Sequence, residues 1–217
     1  MQKRDSIVKT MYERDVGSIG IGAMIVFIAM VLVAGIAASV LIQTSTRLEM
    51  QALKTGQETI HEVASGLKIE AIEGYNSSKM IQKMAIEIST RAGSPHVDMT
   101  QTIVEISDGT HKYVLTFGGS VCNASSVEGS VFDVTNFGDQ NDFDLIVLMD
   151  RDESCLERNP VLNFGDHVIL ALNCSAVFGG LPPRTEVQGA VICEEGAPGI
   201  IGMTTPSSYC DKVIELQ

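Results

Sequence analysis

The stretch Ala23–Ile42, AMIVFIAMVLVAGIAASVLI, holds twenty residues without a charge, and the uncharged run around it reaches from Val16 to Thr46. A helix of that length is about 30 Å long, the thickness of a bilayer's hydrocarbon core. It is apolar on every side instead of along one stripe, so it has no face to turn to water. The segment is too long and too β-branched for a secretory h-region followed by an A-x-A site, and it reads as a membrane span. Lys3, Arg4, Lys9 and Arg14 in front of it favour a cytoplasmic N-terminus, with Asp5, Glu13 and Asp15 diluting the signal.

Working outward, the helical pattern extends from Ser18 to about Ser65. Its second half narrows to a stripe at Leu53, Ile60, Val63 and Ala64, and Gly66 stands where a helix would stop. At 1.5 Å per residue such a rod is roughly 70 Å long, more than one small domain can bury. It needs lipid first and sister helices afterwards, which is the physical signature of a filament subunit. Ala34 with Ala38 and Gly35 with Ser39 form small-xxx-small pairs that let helix backbones approach, although the same residues also fit ordinary membrane-helix composition.

Beyond Gly66 the period changes to alternation. Leu67, Ile69 and Ala71, then Met84, Ile86 and Ile88, then Tyr113, Leu115 and Phe117 each skip a polar neighbour. Thr102–Ile106, Val131–Val134, Phe143–Met149, His167–Leu172, Glu186–Ile192 and Lys212–Leu216 add further strand patterns, with loops marked by Gly179-Gly180 and Pro182-Pro183. The expected fold class is α+β: a long N-terminal hydrophobic α-helix followed by a β-sandwich or β-barrel-like domain. The expected divisions are a leader at 1–17, the helix at 18–66 and a β-rich domain at 67–217.

The net charge of −12 becomes −13 once residues 1–17 are set aside, because that segment carries one more base than acids. A surface so acidic excludes nucleic acid and anionic lipid as natural partners of the β domain. Cys122, Cys155, Cys174, Cys193 and Cys210 all lie in the C-terminal half, on the side placed outside the cell, where disulfides are permitted. Buried free thiols fit equally well, and spacing does not assign a pairing.

Little points to catalysis. His61, His96, His111 and His167 stand apart, and neither a C-x-x-C, an H-E-x-x-H, a G-x-S-x-G nor a phosphate-binding glycine loop is present, so no catalytic residue, no cofactor and no enzymatic activity are expected. The only loop rich in hard oxygen ligands is Asp139-Gln-Asn-Asp-Phe-Asp144, where Asp139, Asn141, Asp142 and Asp144 would suit calcium. It lacks the glycine and distal glutamate of an EF-hand, and a solvated acidic loop outweighs a metal site. Asn76, Asn123 and Asn173 head Asn-x-Ser/Thr sequons, each near a turn or strand end and each on the outer side.

The residues from Gly17 through Thr44, beginning Gly17-Ser-Ile-Gly-Ile-Gly-Ala-Met, resemble the N-terminus of archaellins, the archaeal flagellins, which are type IV pilin-like filament subunits. Gly56-Gln-Glu-Thr, Val63-Ala-Ser-Gly-Leu, Ala92-Gly-Ser-Pro, Ile103-Val-Glu-Ile-Ser-Asp-Gly, Pro183-Arg-Thr-Glu-Val, Gly196-Ala-Pro-Gly-Ile and Thr204-Thr-Pro-Ser-Ser-Tyr carry the likeness to the C-terminus. The resemblance implies a structural subunit of the archaeal flagellum, made as a precursor in the cytoplasmic membrane and cut by a prepilin-type peptidase between Gly17 and Ser18. It implies polymerisation with itself and with paralogous subunits through the helix, aided by membrane-embedded assembly machinery, into an extracellular, N-glycosylated filament used for swimming. The chain departs from the family in one respect: Asp15 and Val16 precede Gly17 where the family usually carries a base. An adhesive pilin-like filament is the alternative of a different function.

Overall fold

A computed structural model describes residues 2–94, 96–124, 129–134 and 137–217, with side chains from residue 19 onward. The chain divides into two compact units, residues 1–56 and residues 57–217.

The described residues of the first unit are all helical. Helix α1 runs Gln2–Ala64, so it begins well before the expected Ser18 and passes unbroken through Gly17. Residues 2–16 contain no proline or glycine, and nothing in the backbone stops the helix from extending through them. Its C-terminal turns belong to the second unit. There the Ser65 amide donates to the His61 carbonyl, and Gly66 turns the chain at φ +137° with no room for a Cβ against the Ala197 carbonyl. Only glycine fits such a junction comfortably.

The strands are β1 (Leu67–Ser77), β2 (Met80–Thr90), β3 (Val97–Asp98), β4 (Ile103–Ser107), β5 (Lys112–Asn123), β6 (Asp142–Met149), β7 (Cys155–Leu156), β8 (Asn159–Leu162), β9 (His167–Leu172), β10 (Glu186–Ile192), β11 (Gly199–Thr204) and β12 (Val213–Glu215), with a short helix α2 (Cys174–Phe178) after β9. Nine of them form one sheet in the order β11-β10-β4-β5-β6-β9-β2-β1-β12, and β3-β8-β7 form a small second one. Every neighbouring pair in the large sheet is antiparallel except β5 with β6.

Twist accumulated over so many strands curls the sheet. Gly199 of β11 comes against Ile69 of β1, the Leu67 amide donates to the Ala197 carbonyl at 3.3 Å, and the Gly202 amide donates to Gln217 Oε1 at 3.1 Å. The result is barrel-like, one curled sheet and not two stacked ones.

The inner face carries the main core, in which Leu67, Ile72, Ile86, Val104, Leu115, Phe143, Leu170 and Val187 are fully enclosed. A second core lies on the opposite face, where Phe132 and Phe137 cover Ala85, Ile146, Ile169 and Ala171. Strands β6 and β9 are thereby buried on both sides over 145–147 and 168–172, which explains their apolar runs Leu145-Ile-Val and Val168-Ile-Leu-Ala-Leu.

One expected strand is absent. Val131–Asp133 is a 3-10 turn closed by a capping box between Ser130 and Asp133, and its Phe132 enters the second core. Alternation at Val131–Val134 imitates a strand, but the reciprocal cap at Ser130 and Asp133 satisfies the turn's amides locally. Conversely β11, with Gly199, Ile201 and Met203 inward, was hidden because two of its six residues are glycine.

Candidate assembly surface and modification sites

Between Ile19 and Ile42 the large apolar side chains of α1 are all exposed in the isolated chain, Phe27 at 68% and Leu41 at 69% among them. Successive residues of a helix advance by about 100°, so this run is apolar around the whole circumference. Ile19–Ala64 is long and apolar enough to cross a membrane, and its most apolar window has no side chain buried within the chain itself.

Three hydroxyls on this rod are engaged locally. Ser39 Oγ accepts from Gln43 Nε2 at 3.4 Å, while Thr44 and Thr46 donate to the carbonyls of Leu41 and Ile42 at 2.9 and 3.0 Å. Hydroxyls bonded back to their own helix are compatible with lipid or with other helices alike. Ala34, Gly35, Ala38 and Ser39 are exposed, and a Cβ added at Gly35 would meet no atom within 4 Å. Gly17 and Ser18 both lie within the helix.

The three sequon asparagines differ in setting. Asn76, near the end of β1, donates from Nδ2 to the Asp211 carbonyl at 3.2 Å, and its Oδ1 is enclosed without a partner. Asn173 caps α2, its side chain accepting from the Ala176 amide at 3.2 Å. Asn123 is exposed at the last position of β5; the sequon serine that follows, Ser125, lies outside the described residues.

The residues proposed from sequence for calcium lie at the start of β6 and just before it. Asp142 and Asp144 are on β6, where Asp144 is buried, and the Asn141 carbonyl is engaged by the Thr116 amide at 3.0 Å. Burial pushes the Asp144 carboxyl up, the Ser120 amide opposes it, and the charges of Asp142 and Asp139 add to the rise.

Sequence reading missed a closer group, Asp150, Cys155 and Asp166, whose ligand atoms lie within 4.8 Å of one another. Asp150 accepts from the amides of Asp152, Ser154 and Cys155, and Asp166 from those of Arg151 and Asn163. These carboxylates organise the β6–β7 and β8–β9 loops. Between them the Cys155 thiol, pushed up to about 12 by burial and then by the two acids, donates to the Val161 carbonyl. Acids spaced 16 residues apart gave no pattern to recognise.

Cys155, Cys174 and Cys193 are buried thiols, Cys210 is an exposed one, and Cys122 is half-buried. His167 pairs with Glu87 at 3.3 Å and His111 lies 4.0 Å from Asp108, both at the surface.

Comparison with known proteins decides the family. Residues 17–203 match the sequence profile of archaeal-type flagellin. The chain belongs to the archaeal-type flagellin family. This is a family of structural proteins of the archaeal flagellum filament, and that is the class of function the chain carries. It is 44% identical over 213 residues to flagellin B2 of Methanocaldococcus jannaschii, covering 93% of this chain and 95% of the relative. It is 39% identical to flagellin B3 of Thermococcus kodakarensis, covering 93% and 97%. The crystal structure of archaeal flagellin FlaB1 from Methanocaldococcus jannaschii superposes with a TM-score of 0.66 at 33% identity, over 71% of this flagellin and 98% of that chain. The archaeal flagellum of Methanospirillum hungatei strain JF1 shares the fold, with a TM-score of 0.61 at 17% identity over 90% and 98%.

Proposed function

We propose that this flagellin is made as a precursor held in the cytoplasmic membrane by α1, cut between Gly17 and Ser18 by a prepilin-type peptidase, and transferred into the filament by membrane-embedded machinery. The observation that carries this reading is the helix itself, apolar on all sides from Ile19 to Ile42 and fully exposed in the single chain. Left in water, each such side chain costs about 1.5 to 3 kcal/mol relative to burial, so the segment is compatible with lipid or a bundle of copies and not with a soluble monomer.

Assembly then places α1 among sister helices, of this chain and of paralogous flagellins, with Ala34, Gly35, Ala38 and Ser39 at the closest approaches. Exchange of lipid for protein around an already apolar helix gains little from hydrophobicity, so dense packing at small residues sets the assembled state. Because extraction from lipid is uphill and the chain carries no nucleotide-binding motif, the work falls to the assembly machinery. Units 57–217 form the outer surface, acidic and carrying N-linked sugar. Asn76, Asn123 and Asn173 are the candidate acceptors, with the Asn76 amide donating to the Asp211 carbonyl and the Asn173 side chain holding the start of α2.

Shearing filaments from cells and sequencing this protein by mass spectrometry tests the proposal. A filament-borne N-terminus at Ser18, with sugar on at least one of the peptides holding Asn76, Asn123 and Asn173, is the expected result. An uncut chain confined to membranes would overturn it.

A further inference from the structure

We infer that Phe164 is a contact by which one copy of this flagellin docks on the next, its ring entering the groove that β10 and β11 of a second copy leave open on their outward face. The inference rests on the filament-subunit role given above.

Phe164 is held in place as well as exposed. It stands 67% exposed in the turn between β8 and β9, and among the described residues of the β unit it is the one exposed phenylalanine. The Asp166 amide closes the turn by donating to the Asn163 carbonyl at 3.2 Å, and Gly165 at φ +98° supplies the left-handed position that favours glycine. The Asn163 amide donates to the carboxylate of the fully buried Asp166 at 2.9 Å, and Thr90 Oγ1 donates to the Asn163 carbonyl at 3.0 Å. Asn163 Nδ2 in turn donates to Asp152 and to Ser154. An aromatic side chain on a turn so pinned loses little freedom when it is covered, which suits it to anchor an interface.

The seat lies on other strands of the same unit. Strand β11 alternates strictly, with Gly199, Ile201 and Met203 inward and Ile200, Gly202 and Thr204 outward, and its register with β10 runs without a bulge. Ile200 is therefore level with Ala190, and Gly202 with Gln188. The small residues leave a groove of about 720 Å³, in which a Cβ added at Gly202 would meet nothing within 4 Å. Ile200, 72% exposed, is its apolar wall.

Three observations name the occupant. The charged side chains of the groove are already engaged, Lys112 with Glu105 at 2.6 Å and Glu186 with the Gln188 side-chain amide at 2.7 Å, so an apolar guest strands none of them. Addition of a strand along β11 is obstructed because Gln217 Oε1 holds the Gly202 amide, so the guest arrives as a side chain. Two strands part the Phe164 turn from the groove either way round the curled sheet, β5 and β6 on one side and β2 and β1 on the other. A knob and a seat so separated are satisfied between copies, and a head-to-tail contact of this kind propagates from subunit to subunit, as a filament requires.

Photochemistry supplies a direct test. Filaments carrying Phe164→p-benzoylphenylalanine are irradiated, and covalent dimers are isolated and digested with trypsin. Cuts at Arg158, Arg184 and Lys212 place position 164 in peptide 159–184 and both Ala190 and Gly202 in peptide 185–212. The expected result is dimers in which these two peptides are joined. Filaments that give no dimer, or dimers joined through any other peptide, would overturn the inference. A second comparison needs no photoreactive group: sheared filament yield should fall several-fold in Phe164→Ala and stay at the wild-type level in Phe164→Tyr, with denaturant unfolding of the detergent-solubilised precursor the same in all three. Full yield from Phe164→Ala would overturn the inference whether or not the photoreactive chain assembles, and a lowered unfolding midpoint would overturn it by assigning Phe164 to the fold. Absence of the wild-type chain from sheared filaments would instead remove the filament reading itself, and that is scored on unmutated cells before either variant.

Discussion

The ammonium of Lys83 stands 4.4 Å above the ring centroid of Phe137 while donating to the carbonyls of Phe132 and Val134 at 2.6 and 3.2 Å. One side chain on β2 thus holds down both ends of the segment that forms the second core. Burial lowers the Lys83 pKa and the charge of Asp133 opposes that fall, so the cation is retained by its partners in a partly desolvated place.

Replacing it by a chain of similar volume isolates this role. Lys83→Met should destabilise the β unit by about 1.5 to 3 kcal/mol, the worth of charge-assisted hydrogen bonds, and speed amide exchange in residues 129–134. Denaturant unfolding of the detergent-solubilised chain with hydrogen-exchange mass spectrometry would read both, and unaltered exchange there would contradict the clamp.

At Gly35 the structure offers an unusually clean test of packing between subunits. A leucine there meets nothing within its own chain and improves helix propensity by up to about 1 kcal/mol. Gly35→Leu should therefore leave precursor level and leader cleavage intact while cutting filament yield sharply. Normal yield in a shearing assay would place Gly35 away from the helix contacts.

Gly66 is the opposite case. Gly66→Ala forces a Cβ into the Ala197 carbonyl at a backbone angle that side chains avoid, and the strain should cost about 1 to 3 kcal/mol or more. A lowered unfolding midpoint with unchanged α1 helicity by circular dichroism is the expected pair of results.

Asp144 sets a pH dependence. Its carboxyl is raised on folding, so the native state holds the proton more tightly than the unfolded chain, and the penalty for ionising it is present above the folded pKa and relieved as pH falls toward the unfolded value of 3.8. Asp144→Asn should accordingly raise Tm at pH 7, by an amount that shrinks on acidification. A gain independent of pH would show that ionisation at this site is immaterial.

Thiol reactivity should divide the cysteines by burial. Cys155 and Cys174 are pushed up to about 12, burial being the leading cause for each, whereas Cys210 is exposed. Thiolate is the reactive form, so iodoacetamide at pH 8 should label Cys210 in the native protein and the buried pair only after denaturation. Ready labelling of Cys174 would mean that its site opens easily.

Local pattern made much of this fold legible before any coordinates. The run Ala23–Ile42 specifies a helix without an aqueous face wherever it is placed, and β9 and β10 appear with the boundaries that alternation and apolar runs predict. These features depend on neighbours in sequence, and neighbours in sequence are what a pattern records. Glycine-rich β11 escaped because two of its six positions carry no side chain to alternate, and the 3-10 turn at Val131–Asp133 because the cap between Ser130 and Asp133 outweighs the alternation of its apolar residues. Tertiary structure alone decided that one sheet curls to bring β11 to β1, that β5 and β6 run parallel, and that Lys83 lies over Phe137. It also brought Asp166 to Asp150 and Cys155, and set Asn123, Met149 and Leu156 around one groove. Each of those contacts joins residues far apart in the chain, and its free energy exists only once twist and burial have closed the distance between them.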